Sequence, residues 1–396
     1  VKRVAVIRPY AALPSENGSN DRYINLCRKL AEHGADVELI CSDFVHNAKK
    51  RRSKEDCALN LKQLPFLVQV RSLPYQANLS PARVAHEVLF GFSALFHLLA
   101  KPKPNIVVVG EPLFGVGWII LAYGLLFRVP VLADIIDLWP EADTGMHAGP
   151  SELLRKTAYA ALRLSRQLRL CCYRAASFVS RSYAEHLLPH APDSNVFYWG
   201  SELTRSKPYA PSNGPLTVVY AGSFGAGYDI ASVLQAAKKL RAEMPGRFRI
   251  VVAGSGPQRS EVEKARVAGD IEYPGQLDQR RLTEIYEQAD IGLLPYKAGS
   301  MVAMPIKFYD YVNFGLYTLT SLEMEVRDIV QKNDIGAPYK AGKADDLLRQ
   351  MKAFDADREA LRRARSVCAG LAQEFSVAIQ YDRFARFVLG HASASH

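Results

Sequence analysis

The chain has 396 residues, 48% hydrophobic and 23% charged, with a net charge of +10 and a sequence pI of about 9.2. That balance describes a soluble globular protein long enough for two domains with separate cores. The charge suits an anionic partner such as a nucleotide phosphate, an acidic lipid surface or nucleic acid. The six cysteines form no C-x-x-C pair and no zinc-like spacing with histidine, so no metal site is expected and a reduced cytosolic compartment is the simplest reading. The basic residues lack the aromatic interleaving and motifs of a nucleic-acid binder.

In chain order, Arg3–Tyr10 reads as a buried strand rather than a signal peptide, followed by the polar loop ALPSENGSND. An amphipathic helix, RYINLCRKLAEHG, closes at Gly34. DVELICS is the next strand. Asn105–Gly110 and Val129–Ile136 are continuous apolar runs ended by polar residues, as in central strands of a parallel sheet. Helical stretches at Pro81–Leu99 and Phe114–Phe127 lie between them. The apolar stretch Leu113–Phe127 has 15 residues, short of the roughly 20 a spanning helix needs, and is expected to be a helix buried against a sheet.

The alternation restarts near Leu216. LTVVYAG, FRIVVAGSG, DIGLLPY and LYTLTS read as strands with helices between them. The expected fold is α/β: two doubly wound, Rossmann-like domains facing a cleft. The expected boundaries are 1–203, a Pro- and Ser-rich linker over 204–215, 216–375, and a C-terminal helix over 376–396 that could pack on either domain, the first being our expectation.

In open α/β sheets, ligands bind beyond the carboxyl ends of the strands, and the motifs fall there. The turns YAGSFGAGYD (Gly222, Ser223, Phe224) and VAGSGPQRS (Gly254, Gly256) each follow a strand and open a helix. They are either phosphate cradles or simple tight turns. G-x-G-x-x-G after the first strand and G-x-x-x-x-G-K-[ST] anywhere are absent, which argues against a nicotinamide enzyme and a P-loop NTPase. The loop DIIDLWPEADTG places Asp134, Asp137, Glu141 and Trp139 beside the cleft, as hydroxyl-orienting acids and a sugar-covering ring; a capped helix start is the plainer alternative. The helix after Ser151 has an apolar face of Leu154, Ala158, Leu162, Ser165, Leu168 and Cys172. Arg155, Lys156, Arg163, Arg166 and Arg174 cluster within about 100° elsewhere, with Arg169 nearby. It is either a solvated face or a dock on an anionic membrane, worth roughly 1 kcal/mol per basic residue.

The stretch MVAMPIKFYDYVNFG poses an electrostatic conflict. Lys307 stands in the first turn of a helix, where the dipole is already positive. A diphosphate at that N-terminus, framed by Ser300, Met304 and Pro305, would offset the conflict, and Asp310 would accept from ribose hydroxyls. A surface Lys–Asp pair is the alternative.

The run IEYPGQLDQRRLTEIYEQADIGLLPY followed by PIKFYDYVNFGLYTLTS resembles the donor-binding half of family 4 glycosyltransferases of GT-B fold. The D-L-W-P-E motif and SDFVHNAKKRR resemble members that build bacterial surface polysaccharides. The resemblance implies a retaining enzyme needing no metal or cofactor. The implied donor is a nucleotide sugar, UDP-sugar first and GDP-sugar second, held by the C-terminal domain. It implies a glycan acceptor on the N-terminal domain, commonly linked to polyprenyl diphosphate, with Glu16, Asn17, Gly18, Trp139 and Glu141 on the acceptor side. The ribose-binding acid falls on Asp310. Val302 stands where the family often has its first acid, and GSFGAGYD lacks the usual Arg and Lys. Arg259, Lys264 or Lys307 then supply the charge for the leaving diphosphate. Asp137 matches the region of the catalytic-loop histidine, and Gln276 and Leu277 fall on the base-binding loop. Such an enzyme works in the cytoplasm on the inner face of the plasma membrane, here through the basic helix. A nucleotide-sugar 2-epimerase of the same fold and a non-catalytic nucleotide-sugar binder are the alternatives.

Overall fold

Continuous runs of Val, Ile and Leu become parallel strands buried on both faces, since only helices on each side can cover so much apolar surface. The computed structural model describes residues 1–16, 21–78, 80–141, 152–187, 193–203, 205 and 214–393, without the side chains of 152, 154 and 155. Two units emerge, Val1–Tyr198 with Val377–His396, and Trp199–Ser376.

The first unit runs β1 (Arg3–Ile7), α1 (Arg22–Glu32), β2 (Asp36–Ser42), β3 (Phe44–Val45), β4 (Lys50–Arg51), α2 (Lys54–Gln63) and β5 (Leu67–Val70). It continues through α3 (Pro81–Leu99), β6 (Ile106–Glu111), α4 (Val116–Phe127), β7 (Val131–Ile135), α5 (Glu152–Cys172), β8 (Ala175–Phe178), α6 (Arg181–Leu187) and β9 (Asp193–Val196). Its seven-stranded sheet has the order β5-β2-β1-β6-β7-β8-β9. All its pairings are parallel, with Val4 of β1 opposite Val37 on one side and Ile106 on the other. Right-handed crossovers place α3, α4 and α5 on one face and α1 on the other. Asp21 caps α1 by accepting from the Tyr23 and Ile24 N–H groups.

The second unit runs β10 (Leu216–Ser223), α7 (Ile230–Glu243), β11 (Phe248–Ser255), α8 (Arg259–Val267), α9 (Gln279–Gln288) and β12 (Ile291–Leu294). Then come α10 (Ile306–Phe314), β13 (Tyr317–Thr320), α11 (Glu325–Lys332), β14 (Gly336–Pro338), α12 (Ala344–Ala356) and α13 (Arg358–Glu374). Its five-stranded sheet has the order β11-β10-β12-β13-β14, again parallel. The last helix, α14 (Val377–His391), packs on α1 of the first unit. Phe384 stacks on Phe197 with centroids 4.7 Å apart, and Arg22 lies over its ring at 4.8 Å.

The border between units falls at Tyr198, before residue 203. Ser201 and Leu203 are already tied to α10 of the second unit, through Asp310 and Asn313. Most of the linker expected over 204–215 lies outside the described residues. Two expectations about helix burial are corrected. Leu125, Leu126, Phe127 and Trp118 of α4 are exposed, so this helix is buried on one side only. On α5, Arg166 and Arg169 are buried while Leu168 and Cys172 are exposed, the reverse of the expected orientation. The reason is electrostatic. Glu111 at the end of β6 and Glu141 beyond β7 offer charge partners beneath the helix, and the arginines turn inward to meet them.

Candidate functional site

In the second unit, β10 and β11 run in register to their ends, Gly222 opposite Gly254 and Ser223 opposite Ser255. Beyond them opens a cavity of about 390 Å³ lined by Ala221, Gly222, Ser223, Ala253, Gly254, Ser255, Gln276, Leu277 and Leu282. Five sequence-expected residues thus converge. Gly254 has φ +129°, and a Cβ there would overlap the Gly222 carbonyl, so glycine is what lets the two strand ends close. Gly256 (φ +151°) packs on the backbone of Phe224, where a Cβ would come within 2.8 Å. That packing gives Gly256 a structural role.

Phe224 is corrected. Its ring is fully buried, and its N–H already donates to the Ser255 carbonyl at 2.8 Å; it supports the turn but has no donor left for a phosphate. Gln258, which the sequence reading passed over, ties the loop together. Its side-chain amide donates to the carbonyls of Phe224, Gly225 and Tyr228 at 3.2, 2.8 and 3.3 Å.

Helix α10 begins after Pro305 with no side-chain cap. Lys307, in its first turn, reaches across to β10. A Cβ on Gly222 would stand 2.5 Å from Lys307 Cε. Its ammonium lies 4.9 Å from the Tyr228 ring centroid and 5.5 Å from that of Tyr220. Among the described residues it forms no ion pair with a carboxylate. Ser300 closes the preceding turn, donating its N–H to the Lys297 carbonyl at 3.2 Å. Met304 is buried at the helix entrance. Asp310 is buried one turn on, accepting from Ser201 Oγ at 2.7 Å. Burial pushes its carboxyl up to about 7, against the lowering influence of the Ser201 hydroxyl and the Lys307 charge.

The other two cations differ. Arg259 opens α8, exposed, with Glu263 at 3.6 Å. Lys264 is corrected: it is exposed in the last turn of α8, at the end of the helix away from the glycine turns.

The first unit has its own cavity, of about 400 Å³, at the carboxyl ends of its strands. Glu16, Asp137 and Trp139 line it together with Arg8, Tyr10, His46, Arg83 and Phe114. Burial raises the Asp137 carboxyl, opposed by the Leu138 N–H and the Arg8 charge, while Glu141 adds to the rise. No ion pair to Asp137 forms among the described residues. By contrast Glu16 is bound by Arg52, whose Nε donates at 2.6 Å. Arg83 is held by buried Glu87 at 3.1 Å. His46 was noticed in the sequence only within SDFVHNAKKRR. Its Nδ1 meets the Tyr75 hydroxyl. Burial, helped by the charges of Lys49, Arg83 and Arg8, pushes it down to about 4. It therefore faces the cavity as a neutral imidazole.

On the acceptor side, Asp134 and Glu141 already have partners within the protein. Asp134 is fully buried away from the cavity, its oxygens bound by Arg22 at 2.8 and 2.9 Å and by Ser177 Oγ at 2.7 Å. Glu141 is occupied by Arg166 at 2.7 and 2.8 Å and by Arg163 at 3.1 Å, and the arginines hold its carboxyl below the usual range although burial opposes them. Asn17, Gly18 and Ser151 lie outside the described residues.

Each of the two parallel-sheet units thus has a pocket beyond its strand ends, and the second unit's glycine-rich pocket lies beside a helix-borne lysine. Residues 203–366 match the family model described as glycosyl transferases group 1. No curated protein sequence matches the chain. Among solved structures, sucrose-phosphate synthase from Thermosynechococcus elongatus is similar at 14% identity and a TM-score of 0.70, covering 99% of this chain and 100% of that one. WaaG, a glycosyltransferase involved in lipopolysaccharide biosynthesis, is similar at 12% identity and a TM-score of 0.66, over 98% and 100% of the two chains. Anabaena HepE in complex with UDP is similar at 11% identity and a TM-score of 0.67, over 98% and 100%. The structural likenesses establish the fold. With the family match, they support a glycosyltransferase.

Proposed function

We propose that this chain is a retaining family 4 glycosyltransferase. It moves a sugar from a UDP-sugar to a hydroxyl of a lipid-linked glycan in the synthesis of a bacterial surface polysaccharide. The observation that carries the reading is Lys307. It is a cation with no carboxylate partner among the described residues, laid over Gly222 at an uncapped helix N-terminus. A diphosphate there satisfies the lysine and the helix dipole at once.

In the reaction the bond from the anomeric carbon to the diphosphate breaks, and the leaving oxygens take the electron pair. Lys307 and the α10 amides stabilise that developing charge, an interaction stronger in the transition state than in the ground state. An acceptor hydroxyl forms the new bond to the anomeric carbon. Asp137, in the first unit's cavity, orients that hydroxyl and draws its proton, with neutral His46 as a second hydrogen-bonding group. Asp310 accepts from the ribose, and Gln276 and Leu277 meet the base. The reading calls on no cofactor or metal, the charge being met by Lys307.

HepE structures carry UDP, glucose and UDP-glucose, which favours UDP over GDP. The role of WaaG in lipopolysaccharide synthesis favours a lipid-linked acceptor. The test is incubation with UDP-sugars, with and without lipid-linked glycan. Sugar transfer that depends on the acceptor supports the reading. An epimerised donor formed without acceptor would replace it with an epimerase, and tight UDP binding with no turnover would replace it with a binding protein.

A further inference from the structure

The face of the first unit's sheet covered by α3, α4 and α5 points apolar side chains outward. On α3, Leu89, Phe92, Phe96 and Leu99 follow one another at helical spacing, and all are exposed, Phe96 by 66%. This helix is 19 residues long and apolar enough to cross a membrane, yet only 33% of its most apolar 18-residue stretch is buried. On α4, Trp118 and the Leu125–Phe127 end are exposed, Leu126 by 79%. On α5, Leu153, Leu164 and Leu168 continue the pattern. The three helices are neighbours: a Cβ on Gly91 of α3 would meet Ile119 and Val116 of α4, and Trp118 donates to Ser165 Oγ of α5 at 2.9 Å. Their outward stripes therefore form one surface, larger than the scattered apolar residues normal on a soluble protein.

Charge says what covers it. Between Leu153 and Arg174, and in all of α3 and α4, Glu87 is the one acidic residue, and it is buried. The three helices run in the same direction, so their carboxyl ends share one edge of the face. Lys101, Lys103, Arg128 and Arg174 stand exposed at that edge. A cavity of about 330 Å³ opens between the ends of α4 and α5, lined by Leu121, Leu125, Val129 and Val131, with Arg174 among its walls. An apolar face with no exposed acid among the described side chains, with a basic rim and a slot beside it, matches acyl chains below anionic headgroups.

We propose that this face lies in the interfacial layer of an anionic phospholipid bilayer. The contact is apolar insertion by α3, α4 and α5 with the basic edge on headgroups, rather than attraction of an arginine stripe on α5. The lipid-linked acceptor reading gives this docking its purpose, and the surface is tested separately from transfer.

The experiment is flotation of the full chain with vesicles of phosphatidylglycerol and phosphatidylcholine, beside Phe96→Ser/Leu126→Ser and Lys101→Glu/Lys103→Glu variants. UDP binding and thermal melts serve as controls for folding. The serine variant should lose at least tenfold in vesicle partitioning at any salt concentration. The glutamate variant should lose binding to anionic vesicles only. Brominated lipid should quench wild-type Trp fluorescence, and Trp118→Phe should lose most of that quenching. Serine-variant binding equal to wild type, or no vesicle binding by wild type together with a dimer that the serine variant abolishes, would overturn the proposal. Acceptor-dependent transfer with no vesicle binding would overturn the docking alone. Vesicle binding without transfer would leave the docking standing and remove the transferase reading.

Discussion

Buried and half-buried cations in this molecule fall into two groups, those held by a carboxylate and those that are not. In the first unit, Arg22 is matched to Asp134, Arg169 to Glu111, Arg166 to Glu141 and Arg52 to Glu16. Arg365 follows the same rule with Asp290 in the second unit. Lys307 breaks it, resting on two tyrosine rings with no ion pair to a carboxylate among the described residues. Matched cations hold helices on a sheet; an unmatched one is available to a ligand. The difference separates structural from functional charge better than residue type does.

The comparison is broken most severely at Arg22. Arg22→Met leaves Asp134 charged in a fully buried site and should cost about 3–5 kcal/mol by urea unfolding. Arg22→Met/Asp134→Leu should recover most of that loss. A single-variant cost below about 1 kcal/mol would show that the pair is not the anchor argued for.

Lys307→Ala should do the reverse, leaving the melt unchanged while turnover falls by about 10²–10³-fold. Turnover near wild type would return Lys307 to the surface. Asp137→Asn should lower kcat by about 10²-fold with UDP affinity retained; a loss confined to UDP binding would contradict its place on the acceptor side.

A separate effect is the pH dependence of Asp310. Its folded carboxyl titrates at about 7 against a usual 3.8, so between those values the folded state holds a proton that the unfolded chain has released. Stability contributed by the protonated form is therefore lost as pH rises from about 4 to 7, and the loss levels off above. Relative to Asp310→Asn, the wild-type melting temperature should fall across that window. A constant difference would mean that Asp310 is ionised throughout.

Much of this was legible in the chain. Apolar runs such as Asn105–Gly110, ended by polar residues, located the central strands because parallel strands are buried on both faces. The glycine turns at Gly222 and Gly254 were readable because chain reversal at a strand end imposes local backbone demands. The place of Lys307 in the first turn of a helix was readable because Pro305 stands just before it. The failures were long-range. Nothing local to Asp134 reveals Arg22, which is 112 positions away. The orientation of α5 was misread because its inward arginines look like a solvated stripe until Glu111 and Glu141 are placed beneath them. His46 and Arg8 join Asp137 only once the strand order β2-β1-β6-β7 brings the carboxyl ends of these strands to one edge. The sequence pattern also left open which unit receives α14, a matter decided by Phe197 and Arg22.

The most direct test is a crystal structure with UDP bound. The account predicts the β-phosphate at the first turn of α10, within hydrogen-bond reach of Lys307 Nζ, with the ribose toward Asp310. A diphosphate bound instead in the first unit's cavity, among Arg8, His46 and Asp137, would contradict it.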